Sequence, residues 1–273
     1  MANELIFNKP NTSLATTKRE SFLNDVVEPA FQSRRIATNT NGTFKKVVNG
    51  EIVGDAVRGK LDIIILSFLP KVSRSYYAGK YDPKAEAAAP DCWSNLGDFP
   101  DEGAANPQGK SCMDCPQNVE GSGEGGRRAC RYSRRISVLL ANDPSGEVYQ
   151  MNIPAASLFG KGKGNEHPFE AYVKYLQAHN EMPDTVVTTI AYDDNADTMK
   201  FVFSPLRPVT DAEWDLVGAA HQKKETKEYT IMKAFKKREK AEAPEEPKKV
   251  VAKKEAPPVE KKAVKSVLED WDD

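Results

Sequence analysis

The order of apolar and polar positions predicts a chain built mainly from short strands. Arg34 to Val48 and Glu51 to Val57 alternate as half-buried strands do, and Asn49-Gly50 between them is a tight-turn pair. Leu61 to Leu69, rich in Ile and Leu and closed by Pro70, reads as a buried strand. Arg134 to Ala141 and Glu147 to Ile153 form a second pair around Asp143-Pro-Ser-Gly146. Thr185 to Tyr192 and Met199 to Phe203 form a third across Asp193-Asp-Asn-Ala-Asp197. Helical spacing is rarer. Phe169, Tyr172, Val173 and Leu176 share one face between Pro168 and His179. Thr210 with Glu213 three residues on is a capping box, which predicts a long helix from there toward Lys236 or beyond, its basic end suited to the helix dipole. A short helix is also expected around Lys18 to Val27.

These elements predict a mainly β chain of α+β class. Residues 1–33 form an N-terminal arm and 34–210 a core, followed by a basic helix over 211–240 and a linker with an acidic tip over 241–273. A barrel or strongly bent sheet of OB type fits the core, although the strand count also fits other small β folds.

One segment breaks the pattern. Residues 82–131 have little apolar periodicity and are rich in Gly, Pro, Asn and Asp, and so long an irregular stretch in a compact domain needs a reason. The four cysteines of the chain, Cys92, Cys112, Cys115 and Cys130, all lie there, spaced C-x19-C-x2-C-x14-C. The two residues between Cys112 and Cys115 let both sulfurs face one ion. Pro116 and glycines 121, 123, 125 and 126 permit the return to Cys130. Four thiolates would close the shell of a structural Zn2+ and leave no position for water or substrate. Such binding would contribute about 10 kcal/mol to the folding of an inserted knuckle. The competing readings are a redox pair at Cys112 and Cys115, or unrelated buried thiols. His167, His179 and His221 are read as non-ligands.

The formal net charge is −1, from 39 basic and 40 acidic residues. That near balance hides local asymmetry and is weak evidence against a polyanion ligand. No apolar run approaches twenty residues, so no membrane span is expected. No signal peptide is visible either, and a cytoplasmic protein with reduced thiols is expected.

Two segments combine cations with flat rings. The first holds Lys71, Arg74, Tyr76, Tyr77, Lys80 and Tyr81. The second holds Arg127, Arg128, Arg131, Tyr132, Arg134 and Arg135. Single-stranded nucleic acid needs both components, cations along the phosphates and rings under the bases, and Trp93 is a further candidate ring. Alternatively, the tyrosines close one end of a barrel and the arginines pair with Asp98, Asp101 and Glu102.

The chain ends in Ser266-Val-Leu-Glu-Asp-Trp-Asp-Asp273, after a linker of Lys, Glu, Ala, Pro and Val too polar to bury a core. Glu269, Asp270, Asp272 and Asp273 surround Leu268 and Trp271. Such a tip can dock on a basic, apolar-floored pocket of a partner, occupy the protein's own cationic groove, or simply solubilise the end.

The tail Leu268-Glu-Asp-Trp-Asp-Asp273 after its linker resembles the acidic tips of bacterial and phage single-stranded DNA-binding proteins. A knuckle inserted beside an OB core resembles the helix-destabilising protein of T-even phages. Pro90-Asp-Cys-Trp-Ser-Asn-Leu-Gly97 through Cys112-Met-Asp-Cys-Pro116 to Cys130 resembles cysteine-containing proteins common in phage genomes. The resemblance implies a non-enzymatic protein of bacteriophage DNA replication and recombination that coats single-stranded DNA in the host cytoplasm. Its tip would recruit a polymerase, helicase or recombinase. One alternative is a zinc-ribbon adaptor that binds and modifies host RNA polymerase. Another is a metal-dependent nuclease using Asp98 and Asp101 or Asp193, Asp194 and Asp197, but turns favour Asp there anyway and no nucleophile motif, P-loop or HExxH appears.

Overall fold

The computed structural model describes residues 33–79 and 90–233. The expected N-terminal arm with its helix, Lys80, Tyr81, and the linker and acidic tip lie outside the described residues. No helix among those described is long and apolar enough to cross a membrane.

Ten strands among the described residues form one sheet. In chain order they are β1 (Arg34–Thr38), β2 (Thr43–Val48), β3 (Glu51–Arg58), β4 (Lys60–Phe68), β5 (Ser73–Tyr76), β6 (Cys92–Ser94), β7 (Arg131–Leu140), β8 (Tyr149–Pro154), β9 (Val186–Tyr192) and β10 (Phe201–Pro208). The spatial order is β10-β9-β4-β7-β8-β1-β2-β3, with β5 and β6 paired off the end of β7. Every pairing is antiparallel except that of β1 with β8, where Arg35 faces Gln150 and Ile36 faces Met151. Three helices accompany the sheet: α1 (Phe169–Ala178), α2 (Asp211–His221) and α3 (Lys224–Glu228). The fold is therefore mixed, mostly strands with few helices.

β4 explains its own composition. Ile63, Ile64, Ile65 and Leu66 are consecutive and all buried, because both faces of the sheet are covered at this strand. One face carries Ile63, Ile65, Ile136, Val138, Met151 and Ile153 against Phe169, Tyr172 and Leu176 of α1. The other carries Ile64, Leu66, Leu139 and Val187 against Val217 and Ala220 of α2 and Tyr229 beyond α3.

The sheet curls into a half-barrel. Tyr192, at the end of β9, reaches the turn between β1 and β2. Its hydroxyl accepts from the Asn39 N–H at 3.2 Å and donates to the Thr43 carbonyl at 3.0 Å. Its ring packs on Phe44 and Phe201, with centroids 4.8 and 5.0 Å away. Residues five places apart in the strand order meet in this way, which a flat sheet forbids.

Two expected elements differ. Arg34 to Val48 is not one strand. Asn39 and Gly42 turn the chain, with Gly42 at φ +76° and the Asn39 side chain donating to Thr43 Oγ1 at 3.2 Å. The long C-terminal helix is also broken. Its capping box is formed as expected, but Lys223 is extended and the helix ends at His221. Thr226 Oγ1 donates back to the Ala220 carbonyl at 2.5 Å, which turns α3 onto the sheet.

Beyond α3 the chain crosses to the cysteine segment. Gln150 Nε2 donates to the Tyr229 carbonyl at 2.9 Å, and Arg135 Nη1 to the Ile231 carbonyl at 3.1 Å. Asn95 then clasps Met232: its Nδ2 donates to the Met232 carbonyl at 3.0 Å and its Oδ1 accepts from the Met232 N–H at 2.7 Å. The Met232 side chain packs on Trp93 and Ala104.

Candidate nucleic-acid interface

The cysteine segment folds around β5 and β6, two short strands of which β6 lies in the stretch expected to be irregular and β5 in the basic, aromatic segment before it. Arg74 on β5 lies between Ser94 on β6 and Tyr132 on β7. The segment is laced by hydrogen bonds. Cys112 N–H donates to the Asp98 carbonyl and Cys130 N–H to the Gln117 carbonyl, both at 2.8 Å. Buried Asn118 donates from Nδ2 to the Cys112 carbonyl at 2.8 Å.

The expected zinc site is not formed. Among the described residues no group of three or more His, Cys, Asp or Glu side chains could hold a metal ion. Cys92, Cys112, Cys115 and Cys130 are free, buried thiols. All four border one cavity of about 10 Å³ without closing into a ligand set, and Arg74 and Trp93 share its walls. Burial pushes the Cys112 thiol up, against a hydrogen bond from Ser94 and the pull of Arg74, and the Cys130 thiol up to about 11, against the pull of Arg74. Arg74 adds a cation to the wall, and its Nε and Nη1 have no hydrogen-bond partner there. The Cys-x2-Cys spacing therefore gives a thiol-lined core in place of a metal centre.

The histidines are elsewhere. His167 stacks on Tyr175, His179 Nδ1 lies 2.8 Å from the Tyr175 carbonyl, and His221 faces Asp184. Three of the nominated carboxylates have local partners. Asp98 pairs with Lys71 at 2.5 Å, Asp101 accepts from the Asn95 N–H at 2.6 Å, and Asp193 pairs with Lys200 at 2.8 Å.

The expected nucleic-acid residues divide into two groups. Several are committed inside the protein. Trp93 is enclosed, so no base can lie on its ring. Arg134 is buried, pairs with Glu170 at 2.7 Å, donates to the Leu69 carbonyl and faces Phe68 and Phe169. Arg74 is buried with its guanidinium carbon 4.4 Å from the Tyr132 ring centroid. Lys71 is exposed but carries the Asp98 pair. Tyr76 is half-buried and Tyr77 is exposed.

The second group is available to a ligand. Arg127, Arg128 and Arg131 are exposed, and none has an ion pair among the described residues. Arg128 is aimed by neutral partners: its Nη1 donates to Asn118 Oδ1 at 3.2 Å and to the Tyr132 hydroxyl at 3.4 Å. Tyr132 is half-buried, and the exposed ring of Phe159 meets it edge-on at 5.7 Å.

Phe159 opens a loop that went unnoticed among the candidate residues. Phe159-Gly-Lys-Gly-Lys-Gly164 places Lys161 and Lys163 on the surface, also without ion pairs among the described residues. The signal was a Gly-Lys alternation beside an aromatic residue. Tyr132 is thus the point where two basic segments nearly thirty residues apart come together.

No family model, curated protein or solved structure matches the chain.

Proposed function

We propose that this protein is a non-enzymatic single-stranded DNA-binding protein of phage type, with a half-barrel of OB kind as its core. One observation carries the reading. The half-buried Tyr132 ring lies between Arg74 and the exposed Phe159, with the uncommitted cations Arg127, Arg128, Arg131, Lys161 and Lys163 on the segments that supply those rings. Rings flanked by unpaired cations suit a strand with exposed bases and a charged backbone, whereas duplex offers the phosphates alone. Such a protein would act in replication or recombination in the host cytoplasm, and its acidic tip would recruit a polymerase, helicase or recombinase.

The test is fluorescence anisotropy of a labelled oligo-dT with the full chain across a salt series, with duplex of equal length as competitor. Tight, salt-dependent binding that duplex displaces poorly supports the reading. No binding at low salt, with or without residues 266–273, overturns it.

A further inference from the structure

The Gly-Lys loop between Phe159 and α1 is held in place by an unusual contact. Lys163 N–H donates to the Glu166 carbonyl at 2.8 Å and Glu166 N–H returns to the Lys163 carbonyl at 3.1 Å, which closes the loop. Its stem is fixed to β10, because His167 and Phe203 exchange backbone hydrogen bonds of 3.0 and 2.8 Å. Inside this frame the His167 ring rests against Gly162. A Cβ on Gly162 would lie 1.9 Å from His167 Nδ1, 2.6 Å from Cε1 and 2.9 Å from Cγ. The glycine is required by this approach rather than by a left-handed backbone. The imidazole is also braced by Tyr175, whose ring stacks on it with centroids 4.6 Å apart at 28°. Lys161 and Lys163 flank Gly162, so the contact anchors the backbone from which both side chains leave.

We propose that the loop Gly160–Gly164 is a phosphate-binding arm of the nucleic-acid rim, with His167 as its positioning residue. Lys161 and Lys163 contact phosphodiesters of a single strand whose bases lie against Phe159 and Tyr132. This rests on the single-strand reading above and names a second set of contacts for it. The loop carries one opposing charge, Glu166, whose backbone closes the loop and whose side chain has no ion pair among the described residues. The arm suits phosphate in particular because its glycines let the backbone approach a ligand closely while two cations flank Gly162.

The experiment uses the full chain and the same labelled oligo-dT. K161A/K163A should reduce the slope of log affinity against log salt by about 1.4, the value for two phosphate contacts on a single strand. K161R/K163R should keep the slope, and neither pair should move the melting temperature. G162A should lose slope, because the new methyl drives the loop off His167. H167A should lose slope as well, whereas H167F, which keeps a flat ring against Gly162 and Tyr175, should keep it, an outcome that a merely structural role for His167 does not give. An unchanged slope in K161A/K163A, while wild type binds, overturns the arm and leaves the single-strand reading standing. An H167A slope equal to that of wild type overturns the positioning role. No binding by wild type at low salt overturns the underlying reading and the arm with it.

Discussion

Arg74 and Tyr132 face each other across the ladder that pairs β5 with β7, and the same two residues form a cation–π contact of 4.4 Å. Backbone and side chain therefore hold one ring from one direction. Phe159 meets that ring from another, and Arg128 holds its hydroxyl. A ring fixed at this many points loses little freedom when a base stacks on it.

Replacing Tyr132 tests that economy. Tyr132→Ala should weaken single-strand binding by about 1–3 kcal/mol, the typical contribution of one stacked base. Tyr132→Phe should keep most of the affinity, since the ring stays over Arg74 and only the Arg128 hydrogen bond is lost. Anisotropy titration checks both, and equal losses in the two variants would remove stacking as the cause.

The exposed arginines should act through salt. Changing Arg127, Arg128 and Arg131 together to Ala should lower the log–log salt slope by about 2, at about 0.7 per phosphate contact on a single strand. Arg134→Ala should instead lower stability, because it removes a buried guanidinium paired with the half-buried Glu170. Salt titrations and thermal melts of the two variants separate these outcomes.

Acid should weaken the anchoring of α2. Glu213 accepts both ends of the Arg207 guanidinium, at 2.7 and 2.8 Å, and closes the capping box with Thr210. Arg207 foremost, aided by Thr210, holds its carboxyl down to about 2 from the usual 4.5. A depressed carboxylate stabilises the fold above its unfolded value, and that stability drains away as pH falls from about 4.5 toward 2. Arg207 remains partly exposed, so the contribution is discounted to about 1–2 kcal/mol. Glu213→Gln should lose that amount at neutral pH and show a flatter acid transition, measured by denaturant melts at neutral pH and below the Glu213 value.

The thiols give a direct test of the cysteine core. All four are buried and burial holds Cys112 and Cys130 protonated, so a thiol reagent should react slowly with native protein and reach four groups only in denaturant. A chelator should leave both the native rate and the melting temperature unchanged. Acceleration by chelator would restore a metal to the knuckle.

Much of the strand pattern was legible because period-two alternation and turn residues are local. The Ile-rich run of β4, the hairpin of β9 with β10 and the α2 capping box all lie where their own residues predict. Three features depend on distant partners and were not legible. The turn at Asn39 and Gly42 lies inside an otherwise strand-like run and is fixed by Tyr192, more than a hundred residues on. β5 and β6 are too short to show a period and exist through their pairing with each other and, for β5, with β7. The cysteine spacing is local, but ligation depends on how the sulfurs converge, which only the fold around β5 and β6 sets. At the rim, Arg127, Arg128 and Arg131 were visible as a basic run. That Arg134, two residues before a core isoleucine, turns inward followed only from the register of β7. Phe159 and its lysines give no such signal in the sequence, because only the fold sets Phe159 beside Tyr132.

The parallel pairing of β1 with β8 has a kinetic consequence. Arg35 cannot find Gln150 until more than a hundred intervening residues have left the ribosome, and β1, already paired with β2, must then dock on β8. Sheets closed by contacts this far apart in sequence fold on the millisecond-to-second scale rather than in microseconds. Until then the β1–β2–β3 meander is a separate flap whose apolar residues lack their cover. The eight solvent-facing residues of β3 are thus the outer margin of that flap, at the opposite end of the strand order from β10.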